Sequence, residues 1–213
     1  MAGTSVDHPF FARFWLRVSP GMDREGLGVR REALLAGLAG RVIEVGAGNG
    51  LNFARYPPEV TQVVAVEPNR LLRQAGQAAA ARAAVPVEVT GGMADRLPAA
   101  DAEFDAAVTS LMLCSVPDQQ AALSELRRVI RPGGELRFLE HVEASTPVLR
   151  RVQRVADATL WPRFGGGCHS ARDTAAQIER AGFTIERLDQ FPFPQTRVPT
   201  LTAPHIIGRA VRP

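Results

Sequence analysis

Arg41-Val42-Ile43-Glu44-Val45-Gly46-Ala47-Gly48-Asn49-Gly50 reads as a buried strand running straight into a glycine loop. Val42 to Val45 is a short, β-branched run of the kind buried on both faces of a parallel sheet. The glycines that follow admit positive φ and let a ligand approach the backbone closely. Leu51 to Tyr56 then reads as a short helix stopped by Pro57-Pro58, its N-terminus offering free N–H groups.

The same alternation continues outward from this stretch. Val63 to Val66, Val87 to Val89, Ala106 to Thr109 and Leu136 to Leu139 are further strand-like runs. Between them, Asn69 to Ala84 and Asp118 to Ile130 carry apolar residues at helical spacing. This rhythm predicts an α/β fold, a doubly wound and mostly parallel sheet with helices on both faces. Pro9 to Val18 puts Phe10, Phe11, Phe14, Trp15 and Val18 on one helical face ahead of the first strand. Thr146 to Leu160 does the same with Val148, Leu149, Val152, Val155, Ala156 and Leu160, with Arg150, Arg151 and Arg154 elsewhere on the turn. A helix over Arg172 to Ala181, a strand over Phe183 to Leu188 and a last strand over Ile206 to Val211 complete the chain. Between the two strands, Pro192, Pro194, Pro199 and Pro204 impose a long loop.

Composition excludes several chemistries. The chain has 213 residues, and all 25 of its Lys+Arg residues are arginine. Schiff-base and pyridoxal enzymes need a lysine amine, and a Walker-type loop needs its lysine on the phosphates. Both classes are out. Cys114 and Cys168 cannot build a disulfide framework or fill a four-thiolate zinc site. His141 and His169 stand far apart in sequence and form no spaced metal motif with the cysteines, so no metal is expected. The start carries no secretory signal and no run is long enough to span a bilayer. The chain therefore reads as reduced and cytoplasmic. A net charge of +3, spread along the sequence, gives no reason to expect nucleic acid. Any contact to an anionic substrate must come from arginine, with Arg150, Arg151, Arg154, Arg163 and Arg197 as candidates.

The second strand ends in Val66-Glu67-Pro68, which sets an acid at the carboxyl end beside the glycine loop. An acid there can accept hydrogen bonds from both hydroxyls of a ribose. Dinucleotide binders use G-x-G-x-x-G with the pyrophosphate on a helix dipole. Here the third glycine comes one residue early and Glu44 precedes the loop, and neither feature suits a pyrophosphate. The bland alternative, a turn with no ligand, leaves the acid-ended second strand without a purpose.

At these residues the sequence resembles the class I S-adenosylmethionine-dependent methyltransferases, whose first loop is typically E/D-x-G-x-G-x-G. Ala94-Asp95-Arg96-Leu97-Pro98, Phe104-Asp105-Ala106-Ala107-Val108 and Leu126 to Gly134 follow in that family's order. The likeness covers residues 40 to about 190. A narrower likeness is to the animal microsomal thiol S-methyltransferases. It rests on Asn52-Phe53 with Tyr56-Pro57-Pro58, Leu113-Cys114-Ser115-Val116, Glu140-His141-Val142, Gly167-Cys168 and Pro204-His205-Ile206-Ile207-Gly208. That family carries an N-terminal membrane anchor, which this sequence does not show.

The resemblance implies S-adenosyl-L-methionine as cofactor and an antiparallel last strand. It implies a lid over 1–39, a cofactor-binding half over 40–142 and substrate-side helices and strands over 143–213, all one domain. Glu44, Gly46, Ala47, Gly48, Gly50 and Asn52 would surround the methionine part of the cofactor. Glu67 and Pro68 would hold the ribose, Met93, Ala94 and Asp95 the adenine. Leu111 and Met112 would lie near the reactive methyl. The partner is a small methyl acceptor, with peripheral membrane contact through the aromatic stripe as an added reading.

Methyl transfer from a sulfonium needs alignment and a dry pocket more than a metal or a covalent intermediate. A thiol acceptor suits this best, since a few per cent is already thiolate near neutral pH. His141, at the carboxyl end of the fifth strand, and His169, beside Cys168, are the candidate catalytic groups. Their alternative reading is packing: a histidine bonded to backbone, and a loop entering a helix capped by Ser170 or Asp173. Cys114 reads as a packing residue and Asp105 as structural. Methylation of a lipid amine or a quinone or phenol ring, and a non-catalytic cofactor-binding module, are the competing functions.

Overall fold

The computed structural model describes residues 9–196 and 200–213, so Arg197 and Pro199 lie outside the described residues. Among the described residues, seven strands form one sheet: β1 (Gly40–Val45), β2 (Val60–Val66), β3 (Val87–Thr90), β4 (Phe104–Ser110), β5 (Ile130–His141), β6 (Thr184–Pro192) and β7 (Pro204–Val211). Their spatial order is β3-β2-β1-β4-β5-β7-β6. β1 pairs parallel with both β2 and β4, Val42 facing Val63 on one side and Ala106 on the other. β7 runs antiparallel to both β5 and β6, as expected for the last strand.

The chain winds outward from β1 through β2 to β3, then returns to lay β4 on the other side of β1. Where the winding reverses, the connections leave a crevice at the carboxyl ends of β1 and β4. Side chains of β1 alternate between two core layers. Ile43 and Val45 join Phe104, Leu123, Leu126 and Val129 on one face. Val42 joins Leu34, Leu35, Phe53 and Tyr56 on the other.

The helices are α1 (Pro9–Met22), α2 (Gly28–Leu35), α3 (Arg70–Ala80), α4 (Gln119–Val129), α5 (Pro147–Asp157), α6 (Trp161–Phe164) and α7 (Thr174–Arg180). Three begin at a residue whose side chain satisfies free backbone N–H groups. Asn69 accepts from Leu71 and Leu72, Asp118 from Ala121, and Asp173 from Ala176. Each cap contributes about 1 kcal/mol.

The fold departs from the sequence reading in three places. The helix expected over Leu51 to Tyr56 is a single 3-10 turn, Phe53–Arg55, because six residues before Pro57-Pro58 cannot nucleate a longer one. The N-terminal segment holds two helices, α1 and α2, joined through Asp23–Leu27 with Gly26 at φ 133°. The apolar stripe of α5 faces outward: Val148, Val152 and Val155 are exposed, and within the helix only Gln153 is buried. Gln153 donates to the carbonyls of Val142 and Leu201 and accepts from Ala144 N–H at 2.7 Å, so a polar residue fastens the helix.

Glu44 shares its face of β1 with Val42 and is buried at the centre of a polar cluster. Asn52 Nδ2 donates to its Oε1 at 2.9 Å and Tyr56 Oη to its Oε2 at 2.7 Å. Arg31 donates to Asn52 Oδ1 and pairs with Asp23, which also takes Arg55. Burial raises the Glu44 carboxyl from 4.5 to about 7 against the pull of Tyr56 and Asn52. A carboxyl raised on folding contributes stability that is full below its unfolded value and is lost as pH rises through its folded one. The melting temperature should therefore fall as pH rises from about 5 to about 8, and Glu44→Gln should flatten that fall. Differential scanning calorimetry across this range checks it; an unchanged slope in Glu44→Gln would refute the assignment.

Candidate active site

The crevice opens into a cavity of about 550 Å³, within the range of about 300–1,000 Å³ typical of small-molecule sites. One half is built from the glycine loop and the ends of β2, β3 and β4. Gly46 stands at φ 73°, and a Cβ there would lie 2.3 Å from Met112 Cγ. Only glycine lets the loop after β1 lie against the loop after β4. The loop is pinned by Gly46 N–H donating to Val66 O at 2.8 Å.

Glu67 is buried at the floor. Its Oε2 accepts from Gly48 N–H and its Oε1 from Asn69 N–H, both at 2.8 Å. Arg73 donates to the carbonyls of Glu67 and Pro68 and fixes this corner from behind. Burial raises the Glu67 carboxyl, and the two backbone N–H groups oppose that shift. An ionised carboxylate offers about four lone-pair sites, so two remain to meet a pair of hydroxyls. Gly92, Met93, Ala94 and the exposed Asp95 form the adjoining wall. Ser110, Leu111 and Met112 close it, with Leu111 at φ 56° and its N–H on Leu139 O. Glu140, fully buried, accepts from Met112 N–H at 3.3 Å and braces this turn.

The other half is apolar, with Cys114, His141, Cys168 and His205 set in its wall. From α1, Phe11, Phe14, Trp15 and Val18 line it, and Trp161, Phe164 and Phe193 add further rings. Within this wall His141 Nε2 lies 3.3 Å from Cys168 Sγ, and Trp161 Nε1 donates to the same sulfur at 3.2 Å. The donor atoms of Cys114, His141 and Cys168 all fall within 4.8 Å of one another. A hydrogen bond from the Cys114 thiol holds Cys168 down to about 5, with burial opposing and His141 assisting. Burial acts to lower the His141 imidazole, but its contact with Cys168 outweighs that and the net shift is upward. His205 is pushed down to about 4 by burial and is neutral; its ring stacks on Phe191.

Of the residues expected at the site, Gly46, Gly48, Glu67, Pro68, Met93, Ala94, Asp95, Leu111, Met112 and His141 line the cavity. Glu44, Ala47, Gly50 and Asn52 do not. Strand alternation turns Glu44 to the opposite layer, where Asn52 and Tyr56 occupy its oxygens, and a Cβ on Gly50 would strike Phe53. His169 also lies off the cavity wall: its Nδ1 is 2.8 Å from Gly167 O and faces Arg172. The partner of Cys168 is His141, not its neighbour in sequence. Cys114, His141 and Cys168, which form no spaced motif in the sequence, are brought together by the fold. Trp161, His205 and Asn69 went unnoticed as site residues, although Pro204-His205 stood within a quoted motif.

A methyltransferase-domain family model matches residues 43–138. Thiol S-methyltransferase TMT1B of Rattus norvegicus is 36% identical over 179 residues, covering 80% of this chain and 70% of that protein. The ubiquinone/menaquinone biosynthesis C-methyltransferase UbiE of Syntrophotalea carbinolica is 32% identical over 153 residues, covering 70% and 64%. In structure, an S-adenosylmethionine-dependent methyltransferase of Thermotoga maritima superposes with a TM-score of 0.69 at 21% identity, covering 95% of this chain and 98% of that one. The glycine loop against Met112, the braced Glu67 and the cavity between them fit the cofactor of such enzymes, and the chain belongs to the thiol S-methyltransferase family of class I S-adenosylmethionine-dependent methyltransferases.

Proposed function

We propose that this enzyme moves a methyl group from S-adenosylmethionine to a small apolar thiol by in-line displacement. The observation that carries the reading is the division of one cavity into a glycine-and-carboxylate half and an apolar half ending at His141 and Cys168. The cofactor supplies a methyl carbon on a positively charged sulfur. Gly46 and Gly48 would admit its methionine end against the backbone, and Glu67 would accept from the ribose hydroxyls. Met93, Ala94 and Asp95 would border the adenine, and Leu111 and Met112 would lie near the methyl. Phe11, Trp15 and Phe193 keep water from the line of attack, which strengthens alignment and charge effects alike. His141 touches the acceptor end, whereas His169 belongs to the supporting loop.

The likeness to thiol S-methyltransferases supports a thiol acceptor, and the likeness to UbiE keeps a quinone-type ring as the second reading. Both cysteines are free, which suits a reducing, cytoplasmic setting. Phe10, Phe14, Val148, Val152 and Phe164 are exposed, with Arg150, Arg151 and Arg154 on the same helix as the valines. Such a rim suits peripheral contact with an anionic lipid surface.

Three measurements test this reading. With a labelled methyl donor, small alkyl and aryl thiols should turn over faster than matched amines and phenols; turnover confined to phenols would move the assignment to the ring acceptor. Glu67→Ala should weaken cofactor binding by about 1–3 kcal/mol, or roughly 5–150-fold; calorimetry giving the wild-type Kd would remove the ribose role. In vesicle flotation, Phe10→Ser with Val148→Ser should reduce binding to anionic vesicles; equal flotation of the variant would exclude this rim as the contact.

A further inference from the structure

Cys114 follows β4, His141 ends β5 and Cys168 follows α6, so the sequence keeps them apart and the switch in strand order brings them together. All three are buried, and all three line the apolar half of the cavity. The Sγ and Nε2 atoms lie within 4.8 Å of one another, with Cys168 Sγ and His141 Nε2 at 3.3 Å. A tetrahedral zinc ion, with Zn–S of about 2.3 Å and Zn–N of about 2.0–2.1 Å, requires such donors roughly 3.5–3.8 Å apart. Small side-chain adjustments satisfy that requirement.

We propose that Cys114, His141 and Cys168 bind one zinc ion whose fourth position opens on the acceptor half of the cavity. Two thiolates and an imidazole select a soft, borderline cation over magnesium or calcium. Three protein ligands with an open position are the arrangement of catalytic rather than structural zinc. The surroundings are built for bound thiolate. Trp161 Nε1–H points at Cys168 Sγ at 3.2 Å, the kind of outer contact that tunes a metal ligand. Buried anions need a cation partner, and Arg172 in the neighbouring loop spends its donors on the carbonyls of Leu113 and Val116.

This inference rests on the thiol-acceptor reading for its chemistry. Zinc-bound hydroxide takes the S–H proton of the acceptor and leaves as water, while the acceptor thiolate takes the fourth position. Its sulfur then attacks the methyl carbon; the new S–C bond forms as the bond to the sulfonium breaks. The neutral thioether is a weak ligand and gives way to water, which loses its proton to solvent and restores the hydroxide. Zinc thereby does for a dilute neutral thiol what general-base catalysis would otherwise have to do.

The test uses the full chain, stripped with a chelator and refilled with zinc or cobalt(II). Elemental analysis should give one zinc per chain. The cobalt form should show tetrahedral visible bands and thiolate-to-metal charge transfer in the near ultraviolet. Cys114→Ser and Cys168→Ser should each weaken metal binding by about a hundredfold or more, while His169→Ala, off the cavity, should leave it unchanged. No metal retained by the wild-type chain, or a cobalt spectrum without thiolate bands, overturns the site. So does a spectrum unaltered in Cys168→Ser. With the demethylated cofactor present, an alkyl thiol should intensify the charge-transfer band and an amine should not. Thiolate bands that no thiol perturbs would overturn the acceptor's place on the metal while leaving the three-residue site standing.

Discussion

The return of the chain across β1 is the constraint on which the rest of the molecule depends. Parallel pairing of β1 with β2 and with β4 forces the loops after these strands to emerge side by side at one edge. Gly46 must then pass within contact of Met112, and Glu67 comes under Gly48 close enough to hydrogen-bond its N–H. Extending the same sheet to β5 brings His141 to that edge. Cofactor and acceptor regions are thus two consequences of a single topological reversal, and no long-range device is needed to bring them into register.

Glu44 shows how the opposite face of the same strand is used. Its carboxyl sits one residue from Val45 yet belongs to a different layer, tied through Asn52 and Arg31 to Asp23 at the junction of α1 and α2. The acid of the family's glycine-loop pattern therefore serves here to join the N-terminal helices to the sheet. Glu44 pairs with Ala65, so Glu67 has the same parity; it reaches the cavity because it stands just past the carboxyl end of β2, beside the glycine loop.

The sheet was legible because its strands are short, β-branched and regularly spaced, and the carboxyl-end acid Glu67 stood out for the same reason. The glycine spacing in particular pointed away from a dinucleotide. Elements whose stability comes from tertiary contact were not legible. α2 hides behind Pro20, Gly21 and Gly26, because helix propensity ranks those residues lowest and cannot see the packing of Leu34 and Leu35 against the sheet. The periodicity of α5 is real, yet it describes a face turned to the outside, since pattern specifies amphipathicity and not what lies opposite it. The convergence of Cys114, His141 and Cys168 depends on the end of β5 and two loops distant from it in sequence. No spacing rule within one segment could have revealed it.

The position of α1 ties two distant parts of the molecule together. Trp15 reaches to the glycine loop, with its indole nitrogen 3.7 Å from where a Cβ on Gly48 would stand, so this helix roofs whatever occupies the loop. At its far end it is followed directly by Asp23, which is clasped by Arg31 and Arg55. The helix that roofs the glycine loop is thus held in place by an ion-pair cluster, Asp23 with Arg31 and Arg55, none of whose residues lines the cavity.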